Sequence, residues 1–174
     1  VWTVASDKVP ITALEQKYIE TFAKYDPNRP YLNSTGGVGS DQHVIGSEDV
    51  ISEISGSSGV KMLGPYAYTA PVYWFTDTNL GGAYGFNTET GPGAQVPQIE
   101  SLKKMIPKDQ LWPMGDVWDY HCGRYEFANL SRFKDAINKR YGEPDSLEDF
   151  DKKAQAMNYE LMRPMFEAFQ VHKK

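Results

Sequence analysis

Two acidic residues, Asp7 and Glu89, stand where side chains could do chemistry. Asp7 closes VWTVAS (residues 1–6), a run of apolar and β-branched residues with the composition of a buried parallel strand. Glu89 lies in Gly81–Pro97, GGAYGFNTETGPGAQVP. There Tyr84-Gly85-Phe86-Asn87 alternates as far as the acid, which predicts a short strand with Tyr84 and Phe86 on one face. Gly91-Pro92-Gly93 then breaks the ladder, because Pro cannot donate and Gly tolerates turn dihedrals. Catalytic groups collect at the carboxyl ends of parallel strands in α/β barrels. Two carboxyl groups meeting there could act as nucleophile and acid/base. Taken alone, Asp7 reads as the cap of a turn before Pro10; the second acid at a second strand end favours catalysis.

The elements that must hold these acids alternate between strand and helix. Thr12 to Tyr25 has helical periodicity, with Leu14, Tyr18, Ile19, Phe22 and Tyr25 as one apolar stripe and Thr12 with Glu15 as a capping box. Tyr31-Leu32-Asn33 and Lys61-Met62-Leu63 are short candidate strands. Residues 34–60 are rich in Gly and Ser, with a single turn expected near Glu48–Ile54. A loop of that length is either functional or mobile. After Pro97, Ile99, Leu102, Met105 and Ile106 recur at helical spacing. Val117-Trp118-Asp119-Tyr120-His121 reads as a further strand. Asn129 caps a helix that runs to Tyr141 and stops at Gly142. Ser146 and Asp149 open a last helix as a capping box; Leu147, Phe150, Ala154, Met157, Leu161, Met165 and Phe169 form its stripe, and Pro164 is expected to kink it.

Composition excludes several classes. The 174 residues are 40% hydrophobic and 24% charged, ordinary for a globular chain with a sizeable core. A net charge of -5 argues against nucleic acid or an anionic membrane as partner. No apolar run reaches the ~20 residues that span a membrane. The single cysteine, Cys122, permits no internal disulfide and reads as a small buried group. Three widely spaced histidines and one cysteine make no metal-ligand constellation, so no metal or cofactor is expected. His43 and His172 are assigned no role.

GAYGFNTETGPG with the following VPQIESLKKMIP resembles the nucleophile segment of glycoside hydrolase family 2, in the branch of exo-β-D-glucosaminidases and endo-β-mannosidases. VWTVASDKVP, GVKMLGPYAYTAPVYWFTDT, LWPMGDVWDYH and the tail RYGEPDSLEDFDKKAQAMNYELMRPMFEAF resemble the same branch, in the same order. The resemblance implies an α/β fold: a partial (β/α)8 TIM barrel, roughly strands 4 to 8 with their helices. It assigns Glu89 as nucleophile and Asp7, at the end of strand 4, as general acid/base. Ser6-Asp7 matches the Ser-Asp of this branch, where most other relatives have Asn-Glu. The resemblance also places Ser6, Trp118, Tyr120 and His121 among contacts to the bound sugar ring, although barrel packing holds for at least one of Trp118 and Tyr120.

A complete barrel takes ~250 residues and eight strands. This chain offers five candidates, so residues 1–174 are expected to form a single domain, the C-terminal part of a catalytic barrel from a larger multidomain enzyme. The implied activity is retaining hydrolysis of terminal β-linked D-glucosamine, as in chitosan oligosaccharides, with the isolated chain inactive. Mannoside or galactoside specificity on the same fold is one alternative; a non-catalytic carbohydrate-binding or structural fragment is another. The implied partner is an oligosaccharide, with self-association through open barrel edges as a further expectation. The family implies a periplasmic or secreted setting.

Overall fold

The computed structural model describes residues 1–36, 51–61, 64–78, 82–123 and 128–173. His43, Met62 and Leu63 lie outside the described residues, as does the start of the expected turn at Glu48–Ile54. The chain divides into two compact units: one of residues 1–64, 77–90 and 173–174, the other of residues 65–76 and 91–172.

The first unit is built on parallel pairing. Strand β1 (Trp2–Thr3) pairs with β2 (Tyr31–Leu32), in register Trp2 with Tyr31 and Thr3 with Leu32. Helix α1 (Thr12–Tyr25) connects them, so the three form a βαβ unit. Trp2 stacks on Phe22 at 5.1 Å between ring centroids, and Phe22 meets Tyr31 at 5.8 Å. These three rings seal α1 onto the strand pair. The rest of the helix's apolar stripe is only partly covered: Tyr18 and Ile19 are half-buried, whereas Leu14 and Tyr25 are exposed. A second parallel contact joins Lys61 and Asn87. The Lys61 amide donates to the Phe86 carbonyl (2.9 Å), and the Thr88 amide donates to the Lys61 carbonyl (2.8 Å). Here the expected alternation fails. Gly85 adopts φ 62°, which turns the chain before Asn87 and leaves Phe86 exposed.

Two further expectations are corrected in this unit. Ile51–Ser52 (β3) and Gly56–Ser57 (β4) form an antiparallel hairpin where only a single turn was expected. Thr12 and Glu15 do not cap α1: its N-cap is Ile11, with no side-chain cap bond. Glu15 is instead only 1% exposed. It accepts hydrogen bonds from Ser52 Oγ, Ser55 Oγ and Tyr31 OH, and Thr12 Oγ1 donates to Glu53 Oε2. The hairpin competes for both side chains and wins them, Glu15 through its serine hydroxyls and Thr12 through the Glu53 carboxylate.

The second unit is helical. It contains α2 (Tyr73–Thr76), α3 (Ile99–Met105), α4 (Asp116–Cys122), α5 (Ser131–Tyr141) and α6 (Leu147–Val171). Helices α2, α3 and α5 all pack on α6. The α6 stripe is buried as its spacing predicts from Leu147 to Met165, and Phe169 is half-covered. Ser146 caps α6 by accepting from the Asp149 amide at 3.2 Å. Asn129 Oδ1 accepts from the Ser131 amide at the start of α5, and Gly142 ends that helix at φ 81°. Pro164 sits inside α6 and cannot donate to the carbonyl of residue 160.

The strand expected at Val117–His121 is helix α4. The run is short and its apolar residues fit either period. Asp116 and Asp119 in the first turn suit the positive end of a helix, and Gly123 beyond its end, at φ 117°, supplies the stop.

Candidate functional site

Asp7 and Glu89 both belong to the first unit. Asp7 is exposed and has φ 60°, the only positive φ of a non-glycine residue among those described. The Lys8 amide donates to the Ser6 carbonyl at 2.6 Å, which closes a tight γ-type turn with Asp7 at its apex. Ser6 Oγ donates to Asp7 Oδ1 at 2.9 Å. The Asp7 amide donates to Thr35 Oγ1 at 3.0 Å.

Glu89 is held through its backbone. Its amide donates to Asn87 Oδ1 at 3.3 Å, and its carbonyl accepts from the Gly64 amide at 3.2 Å. The threonines on either side fix the segment further. Thr90 Oγ1 donates to the Gly64 carbonyl at 2.7 Å. Thr88 Oγ1 faces the carbonyls of Thr35 (2.9 Å) and Lys61 (3.0 Å).

Thr35 therefore touches both acidic segments. Its amide donates to the Ala5 carbonyl at 3.0 Å, its hydroxyl accepts from Asp7, and its carbonyl accepts from Thr88, the neighbour of Glu89. Two residues 82 positions apart in the chain are thus joined through one threonine beyond the end of β2. Lys61, bonded through its backbone to Phe86 and Thr88, is buried, with Nζ 3.3 Å from the centroid of the Tyr84 ring and 2.7 Å from the Gly82 carbonyl. Burial pulls its pKa down from 10.5 to about 8, opposed by the nearby Asp77 carboxylate. The same burial, helped by Asp77, pushes the Tyr84 phenol up.

The three aromatic and imidazole candidates fall in the second unit, on α4. Trp118 is 4% exposed, lies edge-on to Phe150 at 5.8 Å, and donates Nε1–H to the Leu111 carbonyl. Tyr120 is 81% exposed and makes an edge-to-face pair with exposed His121. Trp118 and His121 border a cavity of about 450 Å³ whose walls are mostly apolar. Among the described residues that line it none is a carboxylate, so it supplies no acid pair. Burial pushes the Cys122 thiol up, with Asp119 adding to the effect, which disfavours the reactive thiolate.

Sequence reasoning missed Thr35, Thr88 and Lys61. A signal for Thr88 was present: hydroxyl-bearing, β-branched residues flank the acid in Asn87-Thr88-Glu89-Thr90. Thr35 carried none, since it sits in a Ser- and Gly-rich run.

Compared with known proteins, this chain is similar over nearly all of its length to exo-β-D-glucosaminidases. It is 35% identical over 171 residues to the exo-β-D-glucosaminidase of Amycolatopsis orientalis, a match that spans 95% of this chain and 15% of that enzyme. The crystal structure of the exo-chitosanase CsxA from the same organism matches with a TM-score of 0.73 at 32% identity, over 97% of this chain and 19% of CsxA. A complex of a CsxA variant with PNP-β-D-glucosamine matches with a TM-score of 0.71 at 32% identity, over 95% of this chain and 19% of that one. The chain thus spans less than a fifth of the length of these relatives. No protein-family model matches it.

Proposed function

We propose that this chain is the acid-bearing segment of a retaining glycoside hydrolase that releases terminal β-linked D-glucosamine, with Glu89 as nucleophile and Asp7 as acid/base. The single observation that carries the reading is the link through Thr35, which ties the ends of two strand segments, each bearing one acid, into one unit. The parallel pairs β1–β2 and Lys61–Asn87 support a partial (β/α)8 barrel, with residues 1–90 supplying its strands 4 to 7. The likeness to CsxA, a variant of which was captured with PNP-β-D-glucosamine, supports a glucosaminide substrate.

In this reading a Glu89 oxygen attacks the anomeric carbon while the bond to the leaving oxygen breaks. Asp7 gives its proton to that oxygen. In the second step water attacks the same carbon, its proton passes to Asp7, and the bond to Glu89 breaks, restoring both groups. Ser6, which donates to Asp7 Oδ1, orients the acid. Trp118, Tyr120 and His121 are weaker candidates for sugar contacts. Tyr120 and His121 present exposed faces, whereas Trp118 serves the core.

The test is turnover by the intact enzyme that carries this segment. Glu89→Gln should lower kcat by at least about 10⁴-fold, because the displacement has no other nucleophile. Normal turnover by that variant would remove Glu89 from the role. Since the chain spans under a fifth of its relatives, the segment by itself should show no turnover.

A further inference from the structure

We propose that Thr35 is a positioning residue that aims Asp7 for proton donation. The inference rests on the reading of Asp7 as the acid/base.

Asp7 holds a backbone conformation that side-chain-bearing residues seldom adopt. A residue at φ 60° drifts back to an extended or helical conformation unless its surroundings hold it. That drift would swing the carboxyl group through a large arc, because the Cα–Cβ direction follows the backbone. Two hydrogen bonds resist it. One is local, the bond from the Lys8 amide to the Ser6 carbonyl. The other, from the Asp7 amide to Thr35 Oγ1, reaches outside the turn. Only the second refers Asp7 to the rest of the unit.

Thr35 is itself well anchored. Its amide is tied to Ala5, before the turn, and its carbonyl to Thr88, beside the proposed nucleophile. Its hydroxyl is therefore fixed against both segments that carry acids. A loss of that hydroxyl would loosen the orientation of Asp7 rather than unfold the unit, because Asp7 is exposed and water can satisfy its amide. The main-chain bonds of Thr35 do not depend on its side chain.

The experiment exploits leaving-group chemistry. A glucosamine disaccharide leaves as a sugar alkoxide and needs a proton from the acid; an activated aryl β-glucosaminide releases a stable phenolate and needs little help. The measured quantity is kcat/KM, which reports the first bond-breaking step, in the intact enzyme that carries this segment. Thr35→Val keeps the β-branched shape and removes the hydroxyl. It should lower kcat/KM on the disaccharide by about 10-fold or more, within the 10²–10⁴-fold that general acid catalysis contributes. On the aryl glycoside it should change by less than about 3-fold, and Thr35→Ser should restore the disaccharide rate. Asp7→Ala should show the same selectivity in larger measure. If Thr35→Val does not fold, Thr35→Ala removes the same hydroxyl and takes its place. Equal losses on both substrates, or none, in the hydroxyl-less variant, with Asp7→Ala still selective, would overturn the role of Thr35 and leave Asp7 as the acid. Equal losses on both substrates in Asp7→Ala would overturn the reading of Asp7 itself.

Discussion

The two units are held together by different physics. Among the described residues, every buried polar or charged side chain, namely Glu15, Asn33, Ser34, Ser52 and Lys61, lies in the first unit. Of the described buried apolar side chains only Val60 and Ala83 lie there, and the rest form the core of the second. A helical unit with a wide apolar core is stabilised by area removed from water, which is insensitive to the exact partner of each side chain. A unit of two-residue strands and long turns has little such area. It relies on hydroxyls and carboxylates that must each find a matching group, and a missing partner leaves the other stranded. Those directional contacts also hold the turns that carry Asp7 and Glu89 in the first unit.

That contrast can be broken from the apolar side first. Phe150 is fully buried and packs against Trp112 and Trp118 at 5.9 and 5.8 Å. Phe150→Ala should destabilise the second unit by about 3–5 kcal/mol, read as a fall in the urea midpoint. A loss under about 1 kcal/mol would mean that the helices are not held by this core.

On the polar side, Glu15→Ala strands the hydroxyls of Ser52, Ser55 and Tyr31. The expected cost is about 1–3 kcal/mol, and it should be local. Amide hydrogen exchange should accelerate across residues 51–57 while the protection of α6 stays unchanged. Uniform acceleration across the chain would erase the distinction between the units.

The smallest effect is a pH dependence. The pKa of Lys61 in the folded chain, about 8, lies below its ordinary 10.5. Between those values the unfolded chain binds more protons than the folded one, so stability rises with pH across that window. Below about pH 8 the burden of burying the charged ammonium is fully present. Tyr31, raised to about 12 chiefly by burial with Glu15 adding to it, acts the other way: its contribution is intact below about pH 10 and is lost towards 12. Between pH 7.5 and 9.5, therefore, the urea midpoint should rise for the native chain, and Lys61→Met should flatten the rise. A slope unchanged by Lys61→Met would remove Lys61 from this account.

The same division explains which parts were legible in the sequence. Helix α1 has the expected bounds, Thr12–Tyr25, and the α6 stripe is buried in the expected order, because periodic burial leaves a periodic pattern. The acids Asp7 and Glu89 stood out because each closes a strand-like run. What the pattern could not convey was competition. Thr12 and Glu15 match a capping box, yet the hairpin claims them, through the Glu53 carboxylate and the Ser52 hydroxyl. Val117–His121 suits either period, and Asp116 and Gly123 at its two ends decide for helix. Thr35 acquires its importance only from what the fold brings to it, and no local spacing records that.

Covalent trapping tests the central claim most directly. The intact enzyme is inactivated with a fluorinated β-glucosaminyl fluoride, which slows departure of the sugar from the nucleophile, and the labelled peptide is then sequenced by mass spectrometry. The account predicts the sugar on the Glu89 carboxylate, in the peptide containing Asn87-Thr88-Glu89-Thr90. A sugar found on any other residue, or turnover with no covalent species while the anomeric configuration inverts, would contradict it.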